Sequence, residues 1–205
     1  MRLTSPKREA RYRQLLEAAV AVFARDGIDA ASVADIAEAA GVAKGSVYLY
    51  FDSKEMITGD LVGHLFSFPD DGPRLSEDPE PLEHIVRYCV ELEQRAVGLG
   101  PNAPVVLHML GHIGKTEHDQ LARGVRQLMA ESRFLIELLL RGARERGQLG
   151  GADSSGRDAA TLLALTLGVI HGRLAGGSRP GRESLSVEAA VRVYLRGIGA
   201  KGGEA

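Results

Sequence analysis

The sequence predicts an all-α protein: a small N-terminal module of short helices, then a larger domain of longer ones, about nine helices in all. Three observations carry that expectation. Apolar residues recur at helical spacing along nearly the whole chain. There is no tryptophan, and no long alternating Val/Ile/Thr run of the kind that builds strands. Glycine, serine and proline fall where helices need ends.

The first helix carries Tyr12, Leu15, Leu16, Ala19, Val22 and Phe23 at helical spacing and stops at Gly27, a C-terminal glycine cap. Ser32 caps a second, short helix, with Asp35 three residues on as a relative of the capping box. That helix carries Val33, Ile36, Ala37 and Ala40 and stops at Gly41. A third covers about residues 44–51. Asp52 or Ser53 caps a fourth, running through Ile57, Leu61, Leu65 and Phe66. The proline- and acid-rich stretch 69–81 reads as a loop between two parts of the chain. Beyond it, longer helices are expected at about 81–97, 104–113, 120–146, 156–175 and 186–199, with a short turn near 116–119.

The chain has 205 residues, 44% of them apolar, which is enough for a module plus a larger domain. The net charge of −2 does not announce a nucleic-acid partner. Locally the picture differs. Residues 1–25 hold Arg2, Lys7, Arg8, Arg11, Arg13 and Arg25 against only Glu9 and Glu17, a basic arm that can attract phosphates. Cys89 is the lone cysteine, so no intrachain disulfide forms. The first residues lack the apolar stretch of a signal peptide, and no window nears 18 uninterrupted apolar residues. A cytoplasmic protein without a membrane span is the expectation.

The segment Ser32–Met56 is the informative one. Two short helices joined by a glycine-containing turn make a helix-turn-helix. In the second of these, Val47 and Phe51 lie one turn apart and point inward, toward Ile36 and Val42. Gly45, Ser46 and Leu49 lie opposite, flanked by Tyr48 and Tyr50, and that face suits DNA. Gly45 lets the backbone approach. Ser46 can bond a phosphate or a base edge, and Leu49 suits a thymine methyl. The hydroxyls of Tyr48 and Tyr50 reach toward phosphates. Lys44, Lys54 and Ser32 sit at helix starts, where free N–H groups also favour phosphate.

The run Lys44-Gly45-Ser46-Val47-Tyr48-Leu49-Tyr50-Phe51, followed by Asp52-Ser53-Lys54-Glu55, resembles the signature of the tetracycline-repressor (TetR) family over about residues 12–60. The resemblance implies a transcription regulator, not an enzyme, whose dimer grips a palindromic operator in double-stranded DNA. It places Lys44, Gly45, Ser46, Tyr48, Leu49 and Tyr50 against the operator, with Ser32 and Lys54 on its backbone. It also implies a helix-turn-helix DNA-binding domain at 1–52 and a helical ligand-binding and dimerisation domain at 53–205. Two positions depart from the pattern. Ala43 stands where the family has a capping Ser or Thr, and Asp52 where it has a basic or neutral residue.

The helix at 156–175 is apolar on almost every face, as a helix buried by its own subunit on one side and a partner on the other would be. With the helix at 186–199 it forms the homodimer interface that the resemblance implies. The helices between linker and interface would enclose a small-molecule effector. Tyr88, Cys89, Leu92 and Met109 are candidates to line that chamber, as are Met129 and Phe134. They are mainly apolar and point to a hydrophobic ligand. His108 and His112 stand at i, i+4 and are candidates to touch it. No glutamate lies between them, so they do not form the HExxH zinc motif, and neither metal nor cofactor is expected. Two rivals explain less of the chain. A metal-dependent helical enzyme built on those histidines leaves the N-terminal module without a purpose, and an architectural DNA protein calls for a more basic surface.

Overall fold

The computed structural model describes residues 5–66, 78–111, 119–176 and 186–199. Among these there are nine α-helices and no strand: α1 (Pro6–Asp26), α2 (Val33–Ala39), α3 (Lys44–Val47), α4 (Lys54–Phe66), α5 (Pro81–Gly98), α6 (Pro104–Gly111), α7 (Gln120–Glu145), α8 (Ser155–Gly176) and α9 (Val187–Gly197). A 3₁₀ turn, Gly100–Asn102, precedes α6. The loop expected at 69–81 falls mostly outside the described residues, and the turn expected near 116–119 almost entirely so.

Local chemistry sets most helix ends. Ser5 caps α1, accepting from the Arg8 N–H, and Pro6 occupies the first turn, where its missing N–H has no partner to lose. Gly27 closes α1 at φ +82°, and its N–H reaches the Phe23 carbonyl. Ser32 and Asp35 form a reciprocal capping box at α2: the hydroxyl accepts from the Asp35 N–H, and the carboxylate accepts from the Ser32 N–H at 2.9 Å. Ser186 caps α9, its hydroxyl accepting from the Ala189 N–H.

One expectation needs correcting. The third helix is α-helical only over Lys44–Val47, and residues 48–50 continue as turn, held by Tyr50 N–H and Phe51 N–H on the Val47 carbonyl. Ala43 offers no side-chain cap, and the start of this short helix is held by the Ser46 N–H, which donates to the Ala43 carbonyl at 2.8 Å.

The chain packs as two compact units. The first holds α1 to α4, α6 and α7 as far as Leu128. Its core is Leu15, Leu16, Phe23, Ile36, Phe51, Ile57 and Leu61, all fully buried. Here α4 and the start of α7 approach through glycines. A Cβ on Gly124 would lie 3.1 Å from the Gly59 carbonyl oxygen and 3.2 Å from Val62 Cγ2, so a side chain there has no room. The module of residues 1–52 lies wholly within this unit.

The second unit holds α5, α7 from Met129, α8 and α9. The last two helices pack on each other and on α5. Arg192 of α9 bridges to Glu83 of α5 with two bonds, at 2.6 and 2.8 Å, and Arg173 of α8 meets the buried Glu93 of α5 at 2.5 Å. Within this single chain α8 is not covered on all sides, as its sequence suggested. Ala160, Ala164, Gly168 and Gly172 form an exposed stripe, and nothing lies within 4 Å of a Cβ built on either glycine. On α9, Ala189, Val193 and Gly197 are likewise exposed.

Candidate nucleic-acid interface

The candidate interface is built on α3 and the turn after it. Val47 is 0% exposed and Phe51 1%, while Tyr48 is 46% exposed and Leu49 70%. A helical step of about 100° per residue produces that contrast. The inward pair anchors the turn. The outward pair stands clear of the protein. Lys44 and Gly45 share the exposed side, and Ser46 and Tyr50 are half-buried at its edges. Asp52 is exposed close by.

One contact fixes the end of this turn to α1, and two more brace α1 against α4 and α2. The Tyr12 ring of α1 stacks on Phe51, centroids 5.1 Å apart and planes 24° from parallel. The Tyr12 hydroxyl donates to Asp60 of α4 at 2.7 Å, and burial together with that carboxylate pushes its pKa up. Gln14 of α1 donates to the Ala40 carbonyl at the end of α2, at 2.9 Å. Helix α1 thus holds the end of the turn and is itself tied to α2 and α4.

Two residues expected on the DNA backbone have other duties here. Lys54 was read as a phosphate contact. Its ammonium instead donates to the carbonyls of Ile28, Asp29 and Ala31 at 3.0, 3.0 and 2.9 Å, using all three of its protons. It ties the start of α4 to the loop between α1 and α2. Ser32 is exposed, but its hydroxyl proton goes to the Asp35 carboxylate at 2.6 Å. Those bonds hold the Asp35 pKa below the usual carboxylate range.

Replacing Lys54 by methionine is expected to lower stability by about 1.5–3 kcal/mol, because three carbonyls lose a charged donor. Urea denaturation checks this. A midpoint that does not move would show that water replaces the ammonium at no cost.

The residues expected to line one chamber are divided between the two units. His108 and Met109 belong to the first. Met109 is buried, but His108 is exposed on α6, its ring 3.8 Å from where a Cβ on Gly27 would stand. It is a surface histidine in this chain, not a lining one. His112 lies outside the described residues. Among the described residues, no three His, Cys, Asp or Glu side chains converge as metal ligands.

In the second unit Tyr88, Cys89 and Leu92 are buried on α5, and Met129 is half-buried on α7. Burial pushes the Cys89 thiol up to about 11, which keeps it protonated and unreactive. The Tyr88 hydroxyl donates to Ser132 at 2.7 Å inside the unit. Sequence reading missed Ser132, a lone polar residue on the inward stripe of α7 that its spacing with Ile136 could have revealed. Phe134, by contrast, lines nothing in this chain and is 68% exposed. Ser132 and Ile136 define the inward face of α7, and two residues from either is about 200° around the helix, the opposite side.

Known proteins resemble this chain in sequence and in fold. Residues 15–58 match the model of the bacterial regulatory proteins of the tetR family. The chain is 27% identical over 176 residues to the HTH-type transcriptional regulator TtgR of Pseudomonas putida, covering 83% of each protein. Among solved structures, the SmeT–triclosan complex superposes with a TM-score of 0.76 at 21% identity, over 94% of this chain and 93% of that one. NalD, the secondary repressor of the MexAB-OprM multidrug efflux pump in Pseudomonas aeruginosa, superposes at 0.74 with 23% identity, over 96% of this chain and all of NalD. Both solved structures share the fold.

Proposed function

Because the chain belongs to the tetR family of bacterial regulatory proteins, we propose that it is a homodimeric repressor that holds a palindromic DNA operator and lets it go when a small, mainly hydrophobic effector binds. The observation that carries this reading is the exposed pair Tyr48 and Leu49, set beside the fully buried Val47 and Phe51. An exposed aliphatic next to an exposed tyrosine, on a rigid turn, suits base edges and thymine methyls in a major groove. Lys44 adds a cation with no acidic partner among the described residues. Residues 1–52 would read DNA and 53–205 would take the effector and dimerise.

The small-residue stripes on α8 and α9 support a dimer, since they let helix backbones of two copies approach closely. Such a dimer sets two reading turns about 34–36 Å apart, one turn of DNA. Tyr88, Cys89, Leu92 and Met129 are the proposed effector contacts, with the Tyr88–Ser132 hydroxyl pair as the polar handle. That SmeT forms a complex with triclosan and that NalD represses a multidrug efflux pump favour a small apolar effector here too. The effector acts only through its different affinity for the DNA-bound and free forms. A regulator of this kind works in the cytoplasm, on chromosomal DNA.

Tyr48→Ala and Leu49→Ala are each expected to weaken operator binding at least about fivefold, as loss of a base-edge contact worth about 1–3 kcal/mol requires. Gel shift with DNA from upstream of the gene tests this, and affinity should fall steeply as salt rises. Wild-type affinity in both mutants would remove the proposed interface. Triclosan serves as the first effector probe, and release of the shifted band is the result sought.

A further inference from the structure

We propose that Arg8, which lies on α1 outside the helix-turn-helix, is a positioning residue that sets the pose of the reading turn. The inference rests on the DNA-reading function proposed above. The Arg8 guanidinium carbon lies 5.6 Å from the centroid of the Tyr50 ring, within the range of a cation–π contact. The same group donates from Nη2 to the Leu49 carbonyl oxygen at 3.4 Å. One side chain therefore holds both the backbone of the most exposed reading residue and the ring of its neighbour.

The place of these contacts explains why they matter. α3 ends at Val47, and the segment after it is turn. Past the end of a helix, carbonyls lose their partners. Tyr48 and Leu49 stand on that segment, past the last helical residue, where the Tyr50 and Phe51 N–H groups reach back to the Val47 carbonyl. Arg8 gives one of those carbonyls a charged donor and packs the flanking ring in place.

The other described cations of α1 are differently placed. Arg13 pairs with Glu9, Arg25 pairs with Asp26, and Arg11 donates to Gln14. Lys7 is exposed. Arg8 meets no carboxylate among the described residues and turns onto the reading turn instead. Within the basic arm, Arg8 thus has a role distinct from attracting phosphate.

Positioning and phosphate contact predict different measurements. A phosphate contact strengthens binding to every sequence alike and adds about one to the salt slope per copy. A positioning residue acts through Tyr48, Leu49 and Tyr50. Its loss lowers the preference for the operator over other DNA and leaves the salt slope alone.

The test uses the full chain. A duplex enriched by the wild-type protein from a random-sequence pool serves as operator, and a scrambled duplex as control. Affinities across a salt series are measured for Arg8→Ala, Arg8→Lys, Tyr50→Ala and the double variant Arg8→Ala/Tyr50→Ala. The expected result is an operator affinity about tenfold lower for Arg8→Ala, since a dimer loses two such sets of contacts. The salt slope should match the wild type, and scrambled-duplex affinity should hardly change. The double variant should lose less than the sum of the two single losses, because the ring contact is shared while the bond to the Leu49 carbonyl survives in Tyr50→Ala, and Arg8→Lys should recover part of the loss. Should Arg8→Ala lower the melting temperature, Arg8→Lys against wild type carries the same two readouts.

A salt slope smaller by about one per copy, equal losses on both duplexes and additive effects of the two alanine variants would overturn the proposal while leaving DNA reading intact. Failure of the wild-type chain to enrich any sequence would overturn both.

Discussion

Phe51→Ala is expected to cost about 3–5 kcal/mol and to abolish operator binding. The ring is 1% exposed and stacks on Tyr12. Its backbone N–H closes the turn on the Val47 carbonyl at 3.0 Å. Truncation leaves a cavity among Tyr12 and the buried core of the unit, which close packing does not readily refill. The single α-helical turn of α3 cannot hold itself, because so short a helix has almost no stability of its own. Exposure of Tyr48 and Leu49 at a defined angle therefore depends on Phe51. Urea denaturation measures the first effect and gel shift the second. A loss below about 1 kcal/mol with operator affinity intact would show that Phe51 anchors nothing. Tyr12→Phe is the control, since it keeps the stacked ring and removes only the hydroxyl bond to Asp60.

Arg144→Met should destabilise by a similar amount, about 3–5 kcal/mol, for an electrostatic reason. Arg144 of α7, its side chain 12% exposed, meets the buried Asp158 of α8 at 3.0 Å. The guanidinium also reaches the Gly150 carbonyl at 2.6 Å and the hydroxyls of Ser154 and Ser155. Asp158 in turn accepts from Ser154 at 2.7 Å and from the Tyr194 hydroxyl of α9 at 3.1 Å. Three helices thus meet at one carboxylate. Methionine fills much of the space of the arginine stem but leaves that carboxylate buried and without its cation. The melting temperature should fall by about 10 °C in a chain of this size. Adding Asp158→Asn to Arg144→Met should restore part of the loss, because the uncompensated charge is then gone. An unchanged melting temperature in Arg144→Met would show that the pair contributes no net stability. The proposed dimer should weaken alongside, since Tyr194 ties α9 to the same carboxylate.

Much of the fold was legible because helix ends are local. Gly27, Ser32 with Asp35, and Ser186 each act over three or four residues, and the structure places helix ends at all of them. The burial of Val47 and Phe51 and the exposure of Leu49 follow from helical spacing alone. The same arithmetic, applied to α7, would have turned Phe134 outward. The exposure of His108, in contrast, depends on how α6 packs, which its own spacing does not reveal.

By itself, then, the sequence determined the all-α class, most helix boundaries and the outward pair on the reading turn, because those depend on neighbours within one or two turns. The use of the cations was decided only by tertiary structure. An ammonium or guanidinium serves a phosphate or a carbonyl equally well, and nothing near Lys54 or Arg8 in sequence distinguishes the two. The carbonyls of Ile28, Asp29 and Ala31 lie 23 to 26 residues from Lys54, and the Leu49 carbonyl lies 41 from Arg8. Only the packing of α1 and α4 around the helix-turn-helix brings each donor to its acceptors: Lys54 ties α4 to the loop between α1 and α2, and Arg8 reaches the Leu49 carbonyl.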